Sequence, residues 1–261
     1  MRKSVLAAGT ILAGAILGAA SAQAEMVAAL IGDATLAHVD TTAGKVVKTV
    51  TITGISGTVI GIDVRPADGM LYAVVSDGSV VTVDPASGKA TAKSKLDAML
   101  PASVMATVDF NPVADRLRII GSDGTNLRAN VDDGKVTKDG QLKFAESDSM
   151  RGKTPKVVAG AYTNSMKGAK ETALFDIDAT GGLLKQAPPN DGVLNTVGML
   201  GMPGEGVAFD ILSDGKGGNQ AWAMAGDTLY KVDLATGKGE AAGKIAGVTG
   251  TVRDIAILPS M

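Results

Sequence analysis

The chain has no cysteine and a single histidine, His38. No disulfide can brace the fold, no thiolate site is available, and a His-based triad or zinc site would rest on one side chain. Aromatic residues are scarce as well: one Trp, three Tyr and four Phe in 261 residues offer little surface for stacking on bases or sugar rings. Positive charge is not in excess, with 25 Lys and Arg against 27 Asp and Glu, so nucleic acid is not an expected partner. Neither a phosphate-binding loop nor a Gly-x-Ser-x-Gly elbow occurs, and the Gly-rich runs precede no helix. No catalytic residue, cofactor or metal is therefore expected. The run Asp176-Ile177-Asp178-Ala179-Thr180-Gly181 begins like a calcium loop, but its twelfth position is Ala187 and no helices flank it. It reads as a hairpin turn.

What the chain does have at its start is an uncharged, Ala- and Gly-rich run from Ser4 to Ala24, with polar Thr10, Ser21 and Gln23 in it. A charged start at Arg2 and Lys3, an Ala- and Gly-rich middle and the ending Ala22-Gln23-Ala24 read as a cleaved secretory signal. The mature chain then starts at Glu25, lies free in the periplasm or the medium without membrane insertion, and forms one domain, residues 25–261. Losing Arg2 and Lys3 leaves 23 basic against 27 acidic residues, a charge of about −4.

What fills those residues is a repeat. Residues 61–89 and 107–135 match at a spacing of 46: Asp63 with Asp109, Pro66 with Pro112, Leu71 with Leu117, Asp77-Gly78 with Asp123-Gly124, Gly88-Lys89 with Gly134-Lys135. Three further copies cover residues 26–52, 157–200 and 206–238, with turn glycines at Gly44, Gly88, Gly134, Gly192 and Gly237. Each copy carries short alternating segments rich in Val, Ile and Thr, bounded by Gly, Asp, Asn or Pro, the pattern of antiparallel strands joined by tight turns. Four strands at a period near 45 is the signature of all-β propeller blades. The first copy lacks the leading segment that others carry as GIDVRP, TVDFNP and GVAFDI, and the chain ends on such a segment, VRDIAILP at residues 252–259. One completes the other, because sharing a blade between the termini removes two raw sheet edges. The expectation is a five-bladed propeller, or six blades if residues 90–101 hide another strand pair.

One copy is polar where its neighbour is apolar: Arg116, Arg118, Asn126 and Arg128 stand in place of Met70, Tyr72, Val80 and Thr82. Arg116 and Arg118 share a strand face, as do Asn126 and Arg128. A three-residue turn at Ser122-Asp123-Gly124 puts Arg118 opposite Arg128, and a two-residue turn separates them. Arg118, Arg128, Asn126 and Asn111 are the candidate ligand-binding residues, an Arg fork suited to a carboxylate or phosphate. Asp109, Asp115 and Arg116 are expected to form structural ion pairs.

The runs VDFNPVADRLRII and NLRAN, then AYTN, LFDID and APPNDG, resemble domain-of-unknown-function family 4394, a group of secreted bacterial domains. The resemblance covers nearly the whole mature chain. It implies a repeat-built β fold and carries no established activity. The function expected from these readings is a non-enzymatic binding or interaction module of the cell envelope, taking a protein or a small anionic ligand on the propeller face; the alternative is an enzyme with a channel-mouth site, possibly cation-dependent.

Overall fold

Every alternating Val/Ile/Thr segment becomes a strand. The computed structural model describes residues 25–259; the segment expected to be a secretory signal, residues 1–24, lies outside the described residues. The first blade starts with β1 (Met26–Ile31), β2 (Thr35–Asp40) and β3 (Lys45–Thr51), and the second holds β4 (Val59–Val64), β5 (Leu71–Val75), β6 (Ser79–Val83) and β7 (Ala90–Lys95). The third holds β8 (Ala106–Asn111), β9 (Arg116–Gly121), β10 (Asn126–Ala129) and β11 (Val136–Lys138). A two-residue strand, β12 (Lys143–Phe144), crosses to the outer edge of the fourth blade, formed by β13 (Val157–Tyr162), β14 (Leu174–Asp178), β15 (Gly182–Gln186) and β16 (Val193–Met199). The fifth holds β17 (Val207–Ser213), β18 (Asn219–Ala225), β19 (Thr228–Val232) and β20 (Gly239–Lys244). The last strand, β21 (Val252–Leu258), returns to pair antiparallel with β1, giving the order β21-β1-β2-β3. The molecule is thus a five-bladed propeller whose termini share one blade. Residues 90–95 are the outer strand of the second blade, so no sixth blade exists there.

The inner strands β21, β4, β8, β13 and β17 pack each against the next in a closed ring. Apolar cores lie between blades, one at each of the five seams. Alternation produces this directly, since successive side chains of a strand point to the seams on either side. The repeat glycines explain how blades approach so closely. Gly88 and Gly134 have φ of +75° and +76°, and a Cβ on either would collide with a backbone carbonyl of the preceding blade, Thr51 O and Lys95 O respectively. Only glycine satisfies both the left-handed turn and that contact.

Four seams share a second device. An aspartate on the inner strand accepts a backbone N–H from the next blade's inner strand: Asp254 from Ile62 at 2.9 Å, Asp63 from Phe110 at 2.7 Å, Asp109 from Tyr162 at 3.0 Å and Asp210 from Ile257 at 2.6 Å. The fourth blade has Ala159-Gly160-Ala161 in this region, and its seam with the fifth blade is joined by the Asn164–Asn219 pair instead.

Candidate functional site

The polar third blade is where the sequence places its candidates. The turn is the three-residue form, and Arg118 stands opposite Arg128 in the β9–β10 register. Both belong to the face turned toward the fourth blade. Arg118 is 2% exposed and gives four of its five donors to protein: Nε to the Tyr162 hydroxyl (3.2 Å), Nη1 to Asn126 Oδ1 (2.8 Å) and Asp139 Oδ2 (2.6 Å), and Nη2 to Asn190 Oδ1 (2.8 Å). Arg128 grips both oxygens of the same Asp139, at 2.7 and 3.0 Å. Burial works against an ionised Asp139, but the hydrogen bonds from Arg128 and Arg118 win and hold its pKa below the ordinary carboxylate value. Asn126 is sealed, its amide donating to Gly140 O and Pro189 O. Asn111 caps its own turn, accepting from Val113 and Ala114 N–H. The four expected ligand contacts are therefore brought together only in part, three of them in a seam network whose bonds are internal.

The ion pairs expected among Asp109, Asp115 and Arg116 are not the ones that form. Asp115 pairs with Arg65 of the second blade, through 2.8 and 2.6 Å bonds, and Asp132 completes that cluster on the same guanidinium. Arg116 reaches only the carbonyls of Ala114 and Asp115, and Asp109 lies at the axis. The reason is the propeller twist: β8 turns its polar face to the next blade, so residues near in sequence point to different seams. Arg65 was visible as the residue before Pro66, but nothing in one sequence links it to a turn 50 residues on.

Two arrangements differ from anything expected of their residues in the sequence. The first is the axial set: Asp63, Asp109 and Asp210 each bring a carboxylate oxygen within 4.8 Å of the others, and all are buried. Burial, then the charge of neighbouring acids, raises Asp63 and Asp109 well above the ordinary carboxylate range, and burial alone lifts Asp210 to about 6. Three oxygen donors could hold one hard cation once deprotonated. Their bonds to neighbouring inner strands already give them a structural task. The signal was an Asp recurring in the leading segment of the repeat.

The second is Asp176, fully buried in the seam between the third and fourth blades, with neither oxygen hydrogen-bonded. It sits across from Gly160, whose missing Cβ makes room for its carboxyl. Burial pushes its pKa up to about 8, against the opposing charge of Arg118. The folded chain then keeps a proton that the unfolded chain releases near pH 3.9, so Asp176 costs stability increasingly as pH rises from about 4 to 8. Asp176→Asn is expected to leave stability unchanged near pH 4 and to raise it by a few kcal/mol at pH 8. Urea unfolding at the two pH values checks this; parallel stability curves for the two proteins would refute it. Asp178, by contrast, caps the hairpin turn through Thr180, as the turn reading expects.

The open surface lies at the end of the channel where β4, β17 and β21 finish. A mouth cavity of about 290 Å³ has Asp63 and Asp210 among its lining, with Val64, Leu212 and Ile257. It adjoins a groove of about 1170 Å³ along the seam of the first and second blades, and Val64, Gly69, Leu212, Ile257 and Pro259 line both. Val47 and Met70, 47% and 44% exposed, are apolar side chains on the groove. Its other walls carry His38, Lys48, Lys89, Asp84 and Glu25. The two acids are engaged within the protein: Asp84 accepts from the Ser87 N–H and hydroxyl, and Glu25 from Trp222 Nε1 at 2.7 Å. Lys48 donates one proton to Ala86 O and keeps two, and Lys89 is exposed. His38 Nε2 donates to Pro85 O at 2.8 Å, tying the two blades under the groove.

The family model described as Domain of unknown function (DUF4394) matches residues 35–256. The chain belongs to this family. Among solved structures, a protein of unknown function from Bacteroides thetaiotaomicron VPI-5482 is 18% identical, with a TM-score of 0.51; the match covers 91% of this chain and 65% of that one. A protein of unknown function from Bacteroides caccae is 12% identical over 91% of this chain and 100% of that one, with a TM-score of 0.46. No curated protein matches. The first of these likenesses extends to the fold alone. Among the described residues, no helix is long and apolar enough to cross a membrane.

Proposed function

We propose that this DUF4394 chain is an exported, non-enzymatic binding module, and that its ligand is an amphipathic anion lying in the groove between the first and second blades. The observation that carries the reading is the composition of that groove. Its apolar floor runs inward from Met70 and Val47 to Val64, Leu212 and Ile257, while Lys48 and Lys89 stand on its walls and its acids are held by internal donors. A ligand with an apolar body removes water from the exposed Val47 and Met70, and its acid group meets Lys48, which has donors to spare, and the exposed Lys89. The head faces the lysines and the apolar end points inward, because Val64, Leu212 and Ile257 line the groove where it meets the mouth. The groove volume exceeds the roughly 300–1,000 Å³ of common small-molecule pockets and suits an elongated ligand. An anionic ligand on the Arg118–Arg128 pair is disfavoured, since those donors already hold Asp139.

Dodecanoate and dodecyltrimethylammonium share a tail and differ in the sign of the head, so calorimetric titration with both tests the reading. Dodecanoate is expected to bind, the ammonium to bind about ten-fold more weakly or not at all, and Lys48→Glu with Lys89→Glu to reverse the order. Equal binding of the two, or none of either, would defeat the proposal.

A further inference from the structure

Glu25, the residue that follows Ala22-Gln23-Ala24, is held unusually firmly for the start of a chain. Its carbonyl accepts both the backbone N–H and the hydroxyl of Thr41, at 3.2 and 3.1 Å. Its carboxylate accepts the indole N–H of Trp222, a buried residue of the fifth blade over whose ring the Lys231 ammonium sits at 5.3 Å. Three bonds to two blades thus anchor the residue, and both Glu25 and Met26 line the groove. A bond broken just before Glu25 leaves an α-amino group on a residue of the groove wall, whereas an unbroken chain has a neutral amide there.

We infer that cleavage after Ala24 completes the ligand groove: the α-ammonium of Glu25 becomes a fixed cation on its wall, and an acid-bearing ligand is bound fully only by the processed chain. This rests on the groove reading above. The arrangement has physical sense on three counts. The anchors act on the carbonyl and the side chain of Glu25, and no bond to its nitrogen is found among the described residues, so processing creates the charge without disturbing the attachment. The new charge adds one positive unit to a groove that holds Lys48 and Lys89, while the Glu25 carboxylate is turned to the Trp222 indole. An α-ammonium titrates near pH 7.7–8.0, so this contribution is present at neutral pH and lost in alkali, well below the range where lysines discharge.

The test compares three chains that share residues 25–261: one starting at Glu25, the same chain N-α-acetylated, and one retaining Gln23-Ala24 ahead of Glu25. The exported protein is first sequenced from its N-terminus; a start other than Glu25 overturns the inference. Calorimetry with dodecanoate at pH 7 and pH 9.5 follows, with thermal melts confirming that the three chains fold alike. The chain starting at Glu25 is expected to bind about two- to five-fold more tightly than both others at pH 7, and equally with them at pH 9.5. Equal affinity of all three at pH 7, with Lys48 and Lys89 still required, sinks the role of the terminus and leaves the groove reading standing. No binding by any of the three sinks both.

Discussion

A chain cut before Val252 is expected to lose its cooperative unfolding transition and to aggregate. β21 supplies the innermost strand of the first blade and pairs with β1 along six residues of register. It buries Val252, Ile255 and Ile257 in the seam with the fifth blade and Ala256 in the seam with the second. Three such side chains contribute on the order of 1.5–3 kcal/mol each, which is already comparable to the roughly 5–15 kcal/mol that holds a typical domain together. Two seam bonds go as well: the Ile62 N–H loses Asp254, and Asp210 loses the Ile257 N–H, leaving a buried carboxylate short of a donor. Finally β1 becomes a raw sheet edge, a template for pairing with another copy. Circular dichroism melts and size-exclusion chromatography of residues 25–251 against 25–259 measure this. A sharp transition at the parental temperature in the truncated chain would contradict the shared blade.

The second large effect is expected at Arg118. Its replacement by alanine strips Asp139 of its buried partner, leaving only the half-exposed Arg128, and frees Asn126, Tyr162 and Asn190 of a common donor inside the seam. Breaking a buried pair from one side costs about 3–5 kcal/mol, because the surviving charge stays in the low-dielectric seam. Arg116→Ala, two residues away on the same face, is expected to change stability by no more than about 0.5 kcal/mol, since it loses only bonds to carbonyls of its own turn. Chemical denaturation of the two variants decides the matter. If Arg116→Ala is the more destabilising, the assignment of the seam network is wrong.

These two arginines mark where sequence reading succeeds and where it stops. The five-blade count and the shared blade were legible, because they follow from local periodicity and from the missing leading segment of the first copy; the Arg118–Arg128 register was narrowed to two turn lengths, and the fold selects the three-residue one. Partners across a seam were not. Arg65 joins Asp115 and Asp132 from positions 50 and 67 residues away, and Arg118 meets Asn190 at 72. Such pairs depend on which face of a strand meets which neighbour, a matter of twist and radial packing that single-strand alternation leaves free. The axial acids were half legible: Asp63 of GIDVRP and Asp109 of TVDFNP were matched as repeat positions, but their convergence with Asp210 of GVAFDI on one axis is a property of closure. The groove was not legible at all, because Met70, Val47, Lys48 and Lys89 are ordinary rim residues until two blades set them side by side.

The most direct test of the groove uses methionines as reporters. Met26 and Met70 line it, whereas Met105 and Met199 are exposed on the third and fourth blades, outside it, and Met224 is buried in the fifth. In a methyl-labelled sample of residues 25–261 titrated with dodecanoate, the resonances of Met26 and Met70 are expected to shift together and saturably, while those of Met105, Met199 and Met224 stay in place. Saturable shifts at Met105 or Met199 with Met26 and Met70 unmoved would place the ligand elsewhere and contradict the account.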